Sequence, residues 1–170
     1  MEYKLITKSD TKIIFVDKQT NHHDQYVSNY FEQIAKTNTK ILLLSEEKVF
    51  KKYENYLENN LLKTQSYKLD YHNFLVMEGD FYKNEETVSK IISFMLEKSF
   101  DRSSCIIGFG GGKITDLAGY ISSIYQRGID CVLIPSTLLS IIDASIGGKT
   151  GINDLKYGKN LIGTVYQPKM

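Results

Sequence analysis

Two groups of residues in this chain have types and spacings that suit chemistry: a run of glycines and the polar stretch that follows it. Gly108, Gly110, Gly111 and Gly112 come after an apolar run and before a helix-like pattern. Glycines at such a place let the backbone approach a phosphate closely, and the amide groups at a helix N-terminus attract an anion. The spacing is not the GxGxxG of the common dinucleotide fingerprint, so a plain tight connection stays open as an alternative.

Carboxylates and lysines recur beyond the glycines. Asp116 lies one turn into the predicted helix, where it is either a favourable first-turn charge or an acceptor for ribose or nicotinamide groups. Residues 136–168 are rich in Gly, Ser, Thr, Asp, Lys and Asn but also contain aliphatic side chains, which is typical of an ordered site. Lys149 and Lys159 could be surface lysines and Asp143 a helix cap. Their concentration among glycines and hydroxyls favours a binding site.

Alternating strands and helices must position these residues. Short apolar runs predict strands, and apolar residues at helical spacing predict helices. The predicted strands are 12–16, 40–44, 73–77, 104–109 and 131–134, and the predicted helices are 25–36, 46–57, 85–98 and 111–126. This alternation predicts an α/β fold, a parallel sheet with helices on both faces, which binds ligands at the carboxyl ends of its strands. After Pro135 the pattern predicts no regular element.

Composition narrows the class of protein. The chain has 170 residues, 42 % hydrophobic and 24 % charged, with a formal net charge of +1. These values are typical of one globular domain and predict neither a nucleic-acid nor a membrane partner. The first residues contain no apolar signal segment, so we expect a cytoplasmic protein. Cys105 and Cys131 lie in apolar runs and are predicted to be buried thiols rather than a disulfide.

Several segments, taken together and in order, resemble 3-dehydroquinate synthases. They are GGGKITDLAG from Gly110, RG from Arg127, IPSTLL from Ile134, DASIGGKTGIN from Asp143, GKN from Gly158 and YQP from Tyr166. The resemblance covers roughly residues 104–168. Earlier residues match more loosely, through SEEKV with Tyr53 and through EGDFYK from Glu78.

The resemblance implies an architecture. Residues 1–170 would form the family's N-terminal NAD-binding domain, a Rossmann-like parallel sheet with helices on both faces, with a polar substrate and cofactor segment at 136–168. The family continues with a helical metal-binding domain whose Glu and two His ligands lie beyond the Tyr-Gln-Pro block, so that domain is expected to be absent from this chain. We therefore predict no metal site here, and we interpret His22, His23 and His72 as surface or loop histidines.

The resemblance also implies an activity. The family are lyases of the shikimate pathway, which leads to chorismate and the aromatic amino acids. They convert DAHP (3-deoxy-D-arabino-heptulosonate 7-phosphate) into 3-dehydroquinate with loss of phosphate. They use NAD, which is recycled in each turnover, and a divalent metal, zinc or cobalt. They act as homodimers. This chain alone would supply the NAD site and is expected to be inactive without the remainder.

Site residues follow from the resemblance position by position. Gly111 and Gly112 would bind the cofactor diphosphate, with Lys113 beside them. Asp80 and Lys83, in the loop that resembles GExxK, would also contact the cofactor. The nicotinamide half would be held by Asp116, Ser136 and Thr137. The remaining cofactor contacts would come from Asp143, Lys159 and Asn160.

The catalytic set implied by the family overlaps this one. Lys149 would bind the substrate and stabilise the negative charge that develops on its ring. Asp143 and Asn160 would lie between cofactor and substrate, and Arg127 would reach the substrate phosphate of a neighbouring subunit.

The chain departs from the family pattern at a few positions. Glu46 and Lys48 replace the Asp and Asn that hold the adenosine ribose, Asp80 replaces a Glu, and Lys113 replaces an apolar residue. Two alternatives stay open: another sugar-phosphate cyclase, such as a 2-epi-5-epi-valiolone or 2-deoxy-scyllo-inosose synthase, and a non-catalytic NAD-binding or dimerisation module. The GKN and YQP blocks favour 3-dehydroquinate synthase over those cyclases.

Overall fold

The computed structural model describes residues 2–6, 10–14, 23–59 and 70–169. Its strands are β1 (Glu2–Ile6), β2 (Asp10–Ile14), β3 (Lys40–Glu46), β4 (Asp70–Val76), β5 (Cys105–Gly110), β6 (Asp130–Pro135), β7 (Lys149–Asp154) and β8 (Gly158–Val165). Its α-helices are α1 (His23–Thr37), α2 (Glu47–Leu57), α3 (Glu85–Glu97) and α4 (Gly112–Ile124).

A four-stranded sheet forms the centre of the molecule, with strand order β4-β3-β5-β6. Every neighbouring pair in it is parallel; Ile41 lies opposite Cys105, and Cys105 lies opposite Asp130. All six residues of β5 are buried. Burial on both faces is the reason that the apolar residues of β3 and β5 occur in runs instead of alternating with polar ones.

Helices cover both faces of this sheet, as the sequence predicts. Leu42 and Leu44 of β3 pack in one apolar cluster with residues of α3 and α4. Ile41 and Leu43, which point the other way because side chains alternate along a strand, pack in a second cluster with Phe31 of α1 and with residues of α2. The predicted strands and helices from residue 40 to residue 134 all lie within a few residues of the observed ones.

A hairpin after the last parallel strand was not predicted. Strands β7 and β8 pair antiparallel, and a π-helical turn at Ser140–Ala144 precedes them. The carboxylate of Asp154 accepts hydrogen bonds from the amides of Lys156 and Tyr157, both at 2.8 Å, and Gly158 has a φ of +131°. Asp and Gly at those places are typical of a tight turn.

Two other expectations need correction. β1 and β2 form a second antiparallel hairpin, whereas the sequence predicted only a strand at 12–16, of which residues 15 and 16 lie outside the described part. The helix predicted at 111–126 ends at Ile124. A turn of 3-10 helix follows, in which Gln126 and Arg127 have φ of +50° and +65°. Within the described ranges, no helix combines the length and the apolar character that crossing a bilayer requires.

Candidate functional site

The glycine turn joins the buried strand β5 to the N-terminus of α4. β5 ends at Gly110, and Gly111 is the N-cap of α4 in an extended conformation. The amides of Ile114 and Thr115 donate to the Gly111 carbonyl, at 3.0 and 3.1 Å. The amides before them point out of the helix end, as the first amides of any α-helix do. This end of α4 therefore offers free amides of the kind that bind an anion.

Not every glycine of the run belongs to that turn. Gly108 lies inside β5, and a Cβ atom there would be 2.6 Å from the Cβ of Ala118 in α4. A Cβ atom on Gly110 would be 2.8 Å from the side chain of Ile114. These two glycines let α4 pack closely on the sheet, so only Gly111 and Gly112 remain as candidates for the phosphate turn.

The segment after β6 lies beside the glycine turn. The amide of Ser136 donates to the carbonyl of Gly110 at 2.8 Å, and a Cβ atom on Gly111 would be 3.6 Å from the methyl group of Thr137. The hydroxyls of Thr137 and Ser140 lie 2.9 Å apart and hold the start of the π-helical turn. The structure thus brings Ser136 and Thr137 to the edge of the sheet where the glycine turn lies.

A buried cation lies at the centre of the site. Lys83 is 7 % exposed, and its ammonium group forms an ion pair with Asp116 and donates to the side-chain oxygen of Asn160 at 2.5 Å. Burial raises the pKa of the Asp116 carboxyl; the Lys83 ammonium opposes that rise and the Asp143 carboxylate adds to it. Because removal from water penalises an unpaired charge, Lys83 and Asp116 hold each other in place.

The β7–β8 hairpin is tied to the loop after β4. Lys159 pairs with Asp80 at 2.6 Å, an exposed contact that lowers the pKa of Asp80. The side chain of Asn153 accepts from the Asn160 amide at 3.0 Å and donates to the Asp80 carbonyl at 3.2 Å. Asp80, Lys83, Asp116, Lys159 and Asn160, which the sequence predicted as site residues, are therefore brought together.

A second ion pair lies next to the glycine turn. Lys113 pairs with Glu46, at the end of β3, at 2.6 Å. The Lys113 side chain is 7 % exposed and that of Glu46 is 21 % exposed. Neither this pairing nor the contacts of Asn153 was predicted. Asn153 lies in the motif that carries the resemblance, and Glu46 stood out only as a departure from the family pattern.

The remaining predicted residues are less closely joined to this cluster. Asp143 is exposed in the π-helical turn, and its carboxylate contributes to the raised pKa of the Asp116 carboxyl. Lys149 is exposed at the start of β7, opposite Val165, roughly 16 Å along β8 from Asn160 at the usual rise per residue. Arg127 is exposed beyond the C-terminal end of α4, roughly 20 Å from the glycine turn.

His72 does not join the site. His72 lies on the edge strand β4, where its ring is 3.1 Å from the Asp70 carboxylate and packs near Phe94 and Phe100. His22 lies outside the described residues. The described residues contain no group of three or more His, Cys, Asp or Glu side chains that could hold a metal ion. Cys105 and Cys131 are buried free thiols, as predicted.

Comparison with known proteins places the chain in a family. Residues 73–170 match the sequence model of the 3-dehydroquinate synthase N-terminal domain. A 3-dehydroquinate synthase of Campylobacter jejuni subsp. doylei is 46 % identical over 132 residues, which cover 78 % of this chain and 36 % of that protein. One of Nitratiruptor sp. is 39 % identical over 158 residues, 92 % of this chain and 43 % of that protein. The chain thus spans less than half the length of these relatives.

Solved structures of related cyclases have the same fold. A 2-deoxy-scyllo-inosose synthase, in complex with carbaglucose-6-phosphate, NAD+ and Co2+, aligns with a TM-score of 0.84 at 21 % identity, over 99 % of this chain and 43 % of its own. A 2-epi-5-epi-valiolone synthase from Streptomyces hygroscopicus, with NAD+ and Zn2+ bound, aligns with a TM-score of 0.71 at 26 % identity, over 95 % and 43 %. The sequence match and the shared fold lead to one assignment: the chain belongs to the 3-dehydroquinate synthase family.

Proposed function

We propose that this chain is the NAD+-binding domain, over residues 1–170, of an enzyme that converts DAHP into 3-dehydroquinate with loss of phosphate. The observation that carries the proposal is the contact of Lys83 with Asp116 and Asn160. It joins three separate segments of the chain beside the glycine turn. Relatives named 3-dehydroquinate synthase that are 39–57 % identical support the choice of reaction.

The residues of the turn fit a dinucleotide. We assign the cofactor diphosphate to the helix end at Gly111 and Gly112, where a Cβ atom on Gly112 would meet no atom within 4 Å. Asp116, Ser136 and Thr137 then hold the nicotinamide half. The Lys83 ammonium fixes the Asp116 carboxylate, so that its remaining acceptor sites keep one orientation.

The substrate side is built from the π-helical turn and the hairpin. NAD+, when bound, accepts a hydride from a ring carbon of the substrate and later returns it. We assign Asn160 and Asp143 to positions between cofactor and substrate, and Lys149 to the negatively charged substrate. A fixed ammonium group stabilises negative charge that develops on the ring after oxidation. Lys159, held by Asp80, adds a second cation on the cofactor side.

A metal is part of the proposed reaction but does not fit the described residues. The two related cyclases above hold Co2+ and Zn2+, whereas the described part of this chain offers no cluster of ligands for such an ion. In this proposal zinc or cobalt is held by ligands that lie outside residues 1–170.

The proposal includes a homodimer in the cytoplasm. Arg127, exposed at the far end of α4 from the glycine turn, would serve the substrate phosphate of a second subunit, a task that suits the guanidinium fork. Light scattering that gives the mass of a monomer at high protein concentration would contradict the dimer. The two reduced, buried thiols fit the reducing environment of the cytoplasm.

Calorimetric titration with NAD+ tests the proposal. We expect the 170-residue chain to bind NAD+ and Asp116→Asn to weaken binding by roughly tenfold, because a hydrogen bond to a charged group contributes about 1.5–3 kcal/mol. Asp70→Asn is the matched control, since Asp70 also pairs with a lysine, Lys40 at 3.2 Å, but at the opposite end of the strands. Failure of the unmodified chain to bind millimolar NAD+ would refute the proposal.

A further inference from the structure

Lys113 is nearly buried although it lies in the first turn of α4, beside the proposed diphosphate site. Its ammonium group has three oxygen neighbours: the Glu46 carboxylate at 2.6 Å, the Met77 carbonyl at 2.6 Å and the Gly79 carbonyl at 3.3 Å. A lysine ammonium has three N–H donors. Each donor thus has an acceptor on β3 or on the loop after β4, so Lys113 does not offer its charge directly to a phosphate.

Glu46 lies where the sheet edge meets the glycine turn. It is the last residue of β3, and β3 is hydrogen-bonded to β5, with Ser45 opposite Phe109. Glu46 is also the N-cap of α2, yet its side chain makes no capping hydrogen bond to that helix. The carboxylate is turned towards Lys113 instead. It is therefore held beside the glycine turn and bonds to no amide of α2.

This carboxylate has acceptor sites to spare. Two carboxylate oxygens offer about four lone-pair sites, and Lys113 is bonded to one of the oxygens. In parallel α/β sheets a carboxylate at the end of a strand next to the phosphate turn accepts hydrogen bonds from the ribose hydroxyls of the cofactor. A 2′-phosphate at the same place would meet a like charge, which is unfavourable at short range.

We propose that Lys113 is a positioning residue for the adenosine end of the dinucleotide. It holds the Glu46 carboxylate and the 77–79 loop so that Glu46 binds the adenosine ribose diol and disfavours a 2′-phosphate. Two departures from the family pattern are thereby explained as a single pair. This inference rests on the NAD+ binding proposed above.

Calorimetric titration of the 170-residue chain with NAD+ and with NADP+ tests the role of Lys113. Lys113→Met should raise the Kd for NAD+ by roughly tenfold, the effect of losing one charged hydrogen-bond partner. It should change the Kd for NADP+ less, so the preference for NAD+ falls. Glu46→Gln should lower the preference in the same direction. The double variant should resemble the single ones, because the two residues act as a unit.

Lys90→Met is the matched control: Lys90 pairs with Glu86 at 2.6 Å on the exposed face of α3, and both Kd values should stay unchanged. Should Lys113→Met fail to fold, the preference for NAD+ over NADP+ is measured with Glu46→Gln alone. Glutamine keeps an oxygen that can accept the hydrogen bond from Lys113, so this variant should remain folded. Folded variants with the affinity and preference of the unmodified chain would overturn the inference while leaving the proposed function intact. Additive effects in the double variant would overturn it too. A chain that binds neither dinucleotide would overturn both proposals.

Discussion

At the scale of single residues, the site depends on a buried lysine, Lys83. A buried ammonium group is tolerated only where carboxylates and hydrogen-bond acceptors surround it. Lys83 has Asp116 and the Asn160 side chain as such neighbours. Lys159, by contrast, pairs with Asp80 in water, where its side chain is 71 % exposed. The two lysine–aspartate pairs of the site should therefore differ in what they contribute to stability.

Replacing Lys83 should destabilise the fold. Lys83→Met leaves the Asp116 carboxylate largely buried without its cation, and we expect the free energy of unfolding to fall by about 2–4 kcal/mol. Lys159→Met, the control, should change it by less than about 1 kcal/mol because exposed pairs contribute little. Urea denaturation followed by circular dichroism measures both. Equal losses in the two variants would show that the burial of Lys83 has no energetic consequence.

Residue types pointed to the glycine turn and to Asp116, whereas Lys83 was predicted only from the family resemblance. The partners of these residues could not be predicted, because the sequence does not show which side chains meet across the sheet. The Asn153–Asp80 contact and the Glu46–Lys113 pair belong to this second group: each joins segments more than 60 residues apart in the chain.

At the scale of elements, Gly108 is one of two glycines of β5 that determine how closely α4 packs. Gly108→Ala places a methyl group against the Cβ of Ala118 and 3.2 Å from Leu133. Neither the strand nor the helix can move without disturbing the core, so we expect a loss of about 1–3 kcal/mol, typical of overpacking. Gly112→Ala is the control, since its Cβ would meet open space. Thermal melting of both variants is the measurement, and equal melting temperatures would contradict this account.

The elements found from the sequence share one property: they bury aliphatic side chains. β3, β5 and α3 carry runs or stripes of such residues and were predicted within a few positions. The β7–β8 hairpin was missed because seven of the eight residues of β8 are exposed, which leaves no alternation of apolar and polar residues to detect. Its signal was the turn chemistry of Asp154 and Gly158, which a search for hydrophobic periodicity does not register.

At the scale of the whole molecule, buried acidic groups should set an alkaline limit of stability. Burial raises the pKa of Tyr166, Tyr71 and Cys131 to about 12, from 10.0 for the tyrosines and 9.0 for the thiol. The unfolded chain loses these protons at a lower pH than the folded chain does. The free energy of unfolding is therefore unaffected below pH 9 and declines as the pH rises from about 9 to about 12.

Melting temperatures measured from pH 7 to pH 12 test this limit. Tyr166→Phe should melt lower at neutral pH, because it lacks the hydrogen bond from the hydroxyl to the Ile129 carbonyl. Its melting temperature should then decline less steeply with alkaline pH than that of the unmodified chain. A melting temperature that stays constant up to pH 12 would show that these groups titrate alike in the folded and unfolded states.

The contacts between the β7–β8 hairpin and the loop after β4 join residues that are far apart in the chain. Lys83 and Asn160 are separated by 77 positions, and Asp80 and Lys159 by 79. Formed alone, either contact would have to overcome the loop-closure entropy of that whole segment. The folded structure removes much of this obstacle. β4, which precedes Asp80 and Lys83, is fixed in the parallel sheet, and the β7–β8 hairpin is held on α4 by the hydrogen bond between Thr164 and Ser123 at 2.8 Å. Ligand affinity at this site is for that reason a measure of how completely residues 70–169 are folded.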